Sequence, residues 1–182
     1  MIENIFVTYE EGYEMINNDI LIRLRYALDI KDKDMVKIFE LGGINLTIED
    51  VQSILTKQKN LSYEDELDTT EDDGVHINNK EFEQFLNGLI IYKRGKQELK
   101  PGQPDSPPLT NDPVNNSLLK KVKIALQLTS EDVIEIFENA GINVTKGELS
   151  ALLRKKDHKN FKECGDKYAR NFLKGLTVRY RG

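Results

Sequence analysis

The residues with most chemistry in them fall in one stretch, Asp157-His158-Lys159-Asn160-Phe161-Lys162-Glu163-Cys164-Gly165-Asp166. A thiol close to an imidazole invites two readings, a Cys-His nucleophile pair and half of a zinc site. A catalytic thiolate needs a base within hydrogen-bond reach, and structural zinc usually takes four ligands. Cys164 is the single cysteine, and His76 is the other of only two histidines. Asp157, Glu163 and Asp166 could add oxygens, but a buried thiol and a loop-fixing histidine explain the pair with less. No catalytic residue, metal or cofactor is expected.

A second chemically loaded stretch is acidic, Glu64-Asp65-Glu66-Leu67-Asp68-Thr69-Thr70-Glu71-Asp72-Asp73-Gly74. If Gly74 were the sixth position of an EF-hand loop, Thr69 would be the first and Lys80 the twelfth. Those positions call for an acidic ligand and a bidentate glutamate, so the stretch reads as a solvated acidic loop.

The basic run around the first stretch is the remaining candidate. Arg154, Lys155, Lys156, Lys159, Lys162, Lys167, Arg170 and Lys174 outnumber Asp157, Glu163 and Asp166. The loop feeds the start of a helix, where free amides favour anions, and Phe161 and Tyr168 could offer stacking faces to single-stranded nucleic acid. The candidate anion-binding set is Arg154, Lys155, Lys156, His158, Lys159, Lys162 and Arg170. The competing reading is a solvated charged face with Phe161 and Tyr168 in the core.

The elements that hold these residues are written twice. Residues 17–58 align without a gap on residues 115–156, with 15 of 42 pairs identical, among them Asn17, Asn18, Ile38, Phe39, Gly43 and Thr47. A second block, 85–95, aligns on 172–182 with six of 11 identical. Duplication on this scale fixes the architecture before any local reading does. Apolar spacing of three and four residues marks helices in each copy: Ile20, Leu21, Leu24 and Leu28 in the first, Met35, Ile38 and Phe39 in the second, Val51, Ile54 and Leu55 in the third, Phe82, Phe85, Leu86 and Leu89 in the fourth. Asn18 and Asn116 are expected to cap the first helices and Ser130 the second helix of copy two. Thr145 with Glu148 is expected to make a capping box and Thr47 with Asp50 a looser one. Gly43 and Gly141 should stop the second helices. All five prolines, from Pro101 to Pro113, lie between the copies and mark an extended linker.

The expected organisation is an N-terminal extension over 1–16, a helical repeat over 17–95 with the acidic insertion, a Pro-rich linker over 96–114 and a second repeat over 115–182. The fold class is all-α, a tandem duplication of a small four-helix unit. Each copy is too small to bury much alone, so the two should pack as one pseudo-symmetric protein. Because the duplicated unit begins near Met15, and Glu10-Glu11-Gly12 could be encoded by a purine-rich run like a ribosome-binding site, the natural start is expected at Met15.

At 182 residues and 38% hydrophobic the chain can bury an ordinary core. One cysteine leaves no intrachain disulfide, and neither a signal peptide nor an apolar run of the ~18 residues that span a bilayer is visible. A cytoplasmic protein without membrane contact is expected. The net charge of −5 hides an asymmetry: residues 1–114 hold 12 Lys+Arg against 23 Asp+Glu, while residues 115–182 hold 14 against 8. Opposite charge either draws the copies together or lets the basic copy meet an anionic partner.

The helix-glycine-helix in each copy does not fit a DNA-binding helix-turn-helix. Phe39 and Phe137 are large where the helices should cross closely, and Glu49, Gln52, Gly147 and Ser150 stand where apolar anchors or phosphate contacts belong. The opening Asn17-Asn18-Asp19-Ile20-Leu21, the segment Phe85-Leu86-Asn87-Gly88-Leu89 and above all the Asp157–Asp166 string resemble the YehS family of bacterial proteins, built from two copies of domain of unknown function 1456. The resemblance implies no activity, substrate or catalytic residue. Two readings of function remain: a non-enzymatic interaction module whose partner is another protein, and a binder of nucleic acid or another phosphate-bearing ligand through the second copy.

Overall fold

The computed structural model describes residues 15–56, 75–96, 98–103 and 107–182. The acidic stretch 64–74 and residues 1–14 of the expected extension lie outside the described residues, while Met15 and Ile16 lie within them. Within them the chain forms helices α1 (Asn17–Leu28), α2 (Asp32–Leu41), α3 (Ile48–Leu55) and α4 (Asn79–Arg94) in the first repeat. The second repeat has α5 (Val114–Ala125), α6 (Ser130–Asn139), α7 (Lys146–Leu152) and α8 (Asp166–Arg181), and no strand occurs among the described residues.

Helix ends follow from local chemistry. Gly43 and Gly141 adopt φ of 94° and 88°. In each repeat this left-handed residue closes a Schellman motif. Ile44 N–H donates to the Phe39 carbonyl at 2.8 Å, and Ile142 N–H donates to that of Phe137 at 3.0 Å. The starts correct several expectations. Thr47 and Asp50 form the complete reciprocal box, whereas Thr145 only accepts from Glu148 N–H. Thr129, one residue before Ser130, caps α6 in a full box with Asp132. Asn18 and Asn116 cap nothing: each is the second residue or later of its helix and turns inward, and the cap positions Ile16 and Pro113 supply no side-chain bond. Expecting an asparagine near a helix start to cap it overlooked a stronger demand for the same amide, described below.

The repeats share one core. The first helix of each packs against the last helix of the other, α1 on α8 and α4 on α5, while α2 packs on α4 and α6 on α8 within each repeat. Equivalent residues fill equivalent places. Phe39 meets Phe85 at 4.8 Å between ring centroids, and Phe137 meets Phe172 at 5.7 Å. Burying each such ring contributes on the order of 1.5–3 kcal/mol. At the crossings Gly88 and Gly175 have no room for a side chain, since a Cβ would lie 2.0 Å from the carbonyl oxygen of Ile38 or Ile136. The exchange of partners makes the two repeats one pseudo-symmetric unit: the first and last helices of each are covered in part by the other repeat.

Candidate functional site

The basic loop joins α7 to α8, and its backbone is fixed from within. His158 N–H donates to the Lys155 carbonyl at 2.9 Å, Phe161 N–H to that of His158 at 2.9 Å and Lys162 N–H to that of Ala151 at 3.0 Å. His158 Nδ1 accepts from Asn160 N–H at 3.0 Å, so the imidazole fixes the loop. The loop is also pinned from the core. The fully buried Asn116 side chain donates to the carbonyls of Leu152 and Lys162, both at 3.0 Å, and accepts from Cys164 N–H at 2.9 Å. Asn18 does the equivalent work in repeat one, donating to Val75 O at 2.8 Å and Ile54 O at 3.4 Å and accepting from Ile77 N–H at 2.9 Å. A single carboxamide satisfies both a helix end and a returning strand of loop, which no cap could do.

On this frame Lys155, Lys156, His158, Lys159 and Lys162 are exposed, whereas Arg154 and Arg170 are half-buried. Arg154 Nη2 lies 3.5 Å from Ser150 Oγ. Lys162 Nζ donates to the Tyr168 hydroxyl at 3.0 Å and sits 5.1 Å over its ring; this hydrogen bond raises the ammonium's pKa above the usual lysine value. Tyr168 is half-buried, with its ring perpendicular to that of Phe137 at 6.1 Å between centroids.

Lys155 and Lys156 form one wall of a groove of about 630 Å³ whose opposite wall is the linker at Thr110, Asn111 and Asp112. Lys120 ties the walls together, donating to the Arg154 carbonyl at 2.6 Å and to Asp112 Oδ2 at 2.9 Å. Arg170, His158, Lys159 and Lys162 do not line it. The start of α8 opens elsewhere, into a cleft of about 1010 Å³ between the repeats that includes His76, Lys80, Asn115 and Glu163. There Asp166 already brings a carboxylate to the free amides, accepting from Asn115 Nδ2 at 2.9 Å and Met15 N–H at 3.3 Å. The structure thus gathers Lys155 and Lys156 but separates them from the amino end of α8.

Cys164 is buried, and burial first, then the nearby Asp166 and Glu163 charges, pushes its thiol up to about 12. It is therefore a thiol at neutral pH. Among the described residues no three His, Cys, Asp or Glu side chains converge as metal ligands would, and no helix is long and apolar enough to cross a membrane.

One polar cluster escaped sequence reasoning. Between α4 and α5 the buried Lys121 pairs with Glu83 at 3.3 Å and donates to Asn87 Oδ1. Glu83 accepts from Thr110 N–H at 2.6 Å and its hydroxyl at 3.0 Å, and Asn87 donates to the Pro107 carbonyl at 3.1 Å. Burial lowers the pKa of the Lys121 ammonium, with the Glu83 charge opposing. The linker is thereby strapped onto α4. Across the pseudo-dyad the positions matching Lys121 and Glu83 are Arg23 and Arg170, so this polar pairing is not repeated.

The description "Protein of unknown function (DUF1456)" fits residues 17–95 and again 115–182. A relative described as "Uncharacterized protein YehS", from Escherichia coli (strain K12), is 36% identical over 165 residues, covering 91% of this chain and 96% of the relative. No solved structure matches the chain.

Proposed function

We propose that this chain, which belongs to the DUF1456 family and carries its unit twice, is a non-enzymatic interaction module that meets another protein through the basic loop of its second repeat. The observation behind this reading is that Lys155, Lys156 and Lys159 are exposed on a loop held by its own backbone bonds and by Asn116, with no carboxylate at ion-pair distance from them among the described residues. A loop already ordered loses little entropy on docking, and unpaired like charges speed encounter with an opposite surface. Cys164 and His158, the residues best suited to nucleophilic chemistry, are engaged in burial and in fixing the loop.

Binding of nucleic acid or another phosphate-bearing ligand by the same loop is the second reading, favoured by the surplus of cations in residues 115–182. The placement of Tyr168 against Phe137 and under Lys162 gives it less support. The test is co-purification of the tagged full chain from its native extract, comparing wild type with Lys155→Glu, Lys156→Glu and Lys159→Glu combined, beside retention on a nucleic-acid matrix at two salt concentrations. A protein recovered by wild type and lost with the triple variant supports the proposal. Recovery unchanged in the variant, or lysine-dependent retention on nucleic acid alone, refutes it.

A further inference from the structure

We infer that the groove between the basic loop and the linker receives an extended acidic peptide segment, laid between Lys155 and Lys156 on one side and Thr110 to Asp112 on the other. This rests on the interaction-module reading and names the chemistry of the partner. Three observations favour it. First, the groove is concave and two-walled, which suits a single extended chain better than a flat folded surface. Second, its charge is unbalanced toward cations. Asp112 is engaged by Lys120 at 2.9 Å and is nearly covered, so that among the described lining residues the two exposed lysines face one exposed carboxylate, Asp157. Third, its two walls are joined by partly buried bonds. Lys120 bridges linker and loop, and Glu83 and Asn87 hold the linker at Thr110 and Pro107.

A carboxylate side chain entering such a groove meets two ammonium groups on long aliphatic stems. Those stems supply apolar flanks to a peptide's own methylenes while the heads remain at the rim. Lysines act as point charges without the fork that selects phosphate geometry, so the groove reads charge and extended shape. Single-stranded nucleic acid is favoured by a stacking platform in addition, and the groove lining contains no aromatic ring.

The experiment uses the full chain and a fluorescein-labelled hexaglutamate peptide, followed by anisotropy at low and at physiological salt. A hexaglutamine peptide and a short single-stranded oligonucleotide serve as comparisons. The groove variant is Lys155→Glu with Lys156→Glu. The control is Lys33→Glu with Lys37→Glu, which makes the same change of net charge on exposed positions of α2. The expected result is salt-sensitive binding of hexaglutamate, none of hexaglutamine, a loss of at least about tenfold in the groove variant and a change under about twofold in the control. Equal losses in both variants, no binding by wild type, or tighter groove-dependent binding of the oligonucleotide would each overturn the assignment. If the native partner still depends on the lysines while hexaglutamate does not bind, the acidic-peptide assignment falls and the interaction module stands. If neither depends on them, both fall.

Discussion

Replacing Asn116 with alanine removes the pin of the basic loop, and the cost follows from its three bonds. The variant leaves the carbonyls of Leu152 and Lys162 and the amide of Cys164 without their partner in surroundings where Asn116 itself is fully buried. A typical hydrogen bond contributes about 1 kcal/mol net, and a buried group left unsatisfied costs about 1–3 kcal/mol. Lys162 sits near the surface, so water can reach its carbonyl, and the expected total is about 3 kcal/mol. For a chain of this size that lowers Tm by roughly 6–12 °C. Asn18→Ala is the internal comparison. Its bond to Ile54 O is long at 3.4 Å and it is 7% exposed, so the loss there should be about 2 kcal/mol. Urea unfolding measures both, read as a shift in midpoint at unchanged slope, and hydrogen exchange should show the Cys164 amide losing protection in Asn116→Ala alone. A cost for Asn116→Ala within about 0.5 kcal/mol of zero, or a larger cost at Asn18, would refute the assignment of these residues as pins.

Glycine positions separate close crossings from open helix. Gly175→Ala should destabilise by at least about 2 kcal/mol, because its Cβ would lie 2.0 Å from Ile136 O, and Gly88→Ala should behave alike. In contrast, Gly147→Ala on α7, with nothing nearer than 4.0 Å, should stabilise by about 0.5–1 kcal/mol; thermal unfolding of the three variants checks the ordering. Lys121→Met strands Glu83 and should cost about 3–5 kcal/mol, while adding Glu83→Gln should restore much of it; a double-mutant cycle without coupling would show that the pair is not buried as described. Cys164, with its thiol held up at about 12, should resist iodoacetamide at pH 8 in the folded chain and react promptly once unfolded; folded-state labelling at the rate of free cysteine would contradict its burial.

Much of this architecture is legible in the chain because duplication repeats each signal. The apolar stripes and the glycine stops after α2 and α6 stand in the sequence at matching offsets, and the prolines mark the linker between them. What periodicity does not encode is which helix faces which. A stripe on α1 says that one face is buried, but nothing in Ile20, Leu21 and Leu24 says that the cover comes from α8 of the other repeat. The Asn pins were misread for a related reason: an asparagine near a helix start has two competing uses, and the one chosen depends on a loop about 36 to 60 residues away. Their identity in both repeats was the available signal, since a cap tolerates serine, threonine or aspartate and a pin that both donates twice and accepts does not. At the candidate site the loop lysines were legible as charge, but the opposite wall of their groove is the linker, whose placement comes from Glu83 and Asn87.

The internal repeat also separates what the fold requires from what it merely permits. Residues shared by both copies, among them Asn18 and Asn116, Phe39 and Phe137, Gly43 and Gly141, and Gly88 and Gly175, are pins, core and turns. They are the conditions for building the unit twice. Lys155 has a counterpart in Lys57, but Lys156 aligns with Gln58 and Lys159 lies beyond the aligned block, and all of the loop lysines but Lys162 stand clear of any partner side chain among the described residues. Exposed charges of this kind contribute little to stability, and their mutual repulsion, if anything, opposes folding. The cluster is therefore not expected to serve folding, which agrees with the interaction proposed for this loop. This gives the last prediction. The chain with Lys155→Glu, Lys156→Glu and Lys159→Glu together should unfold within about 0.5 kcal/mol of wild type, while losing its salt-sensitive binding. A clear loss of stability in that variant, measured by urea unfolding, would mean that the lysines serve the scaffold after all, and the argument from the repeat would fail.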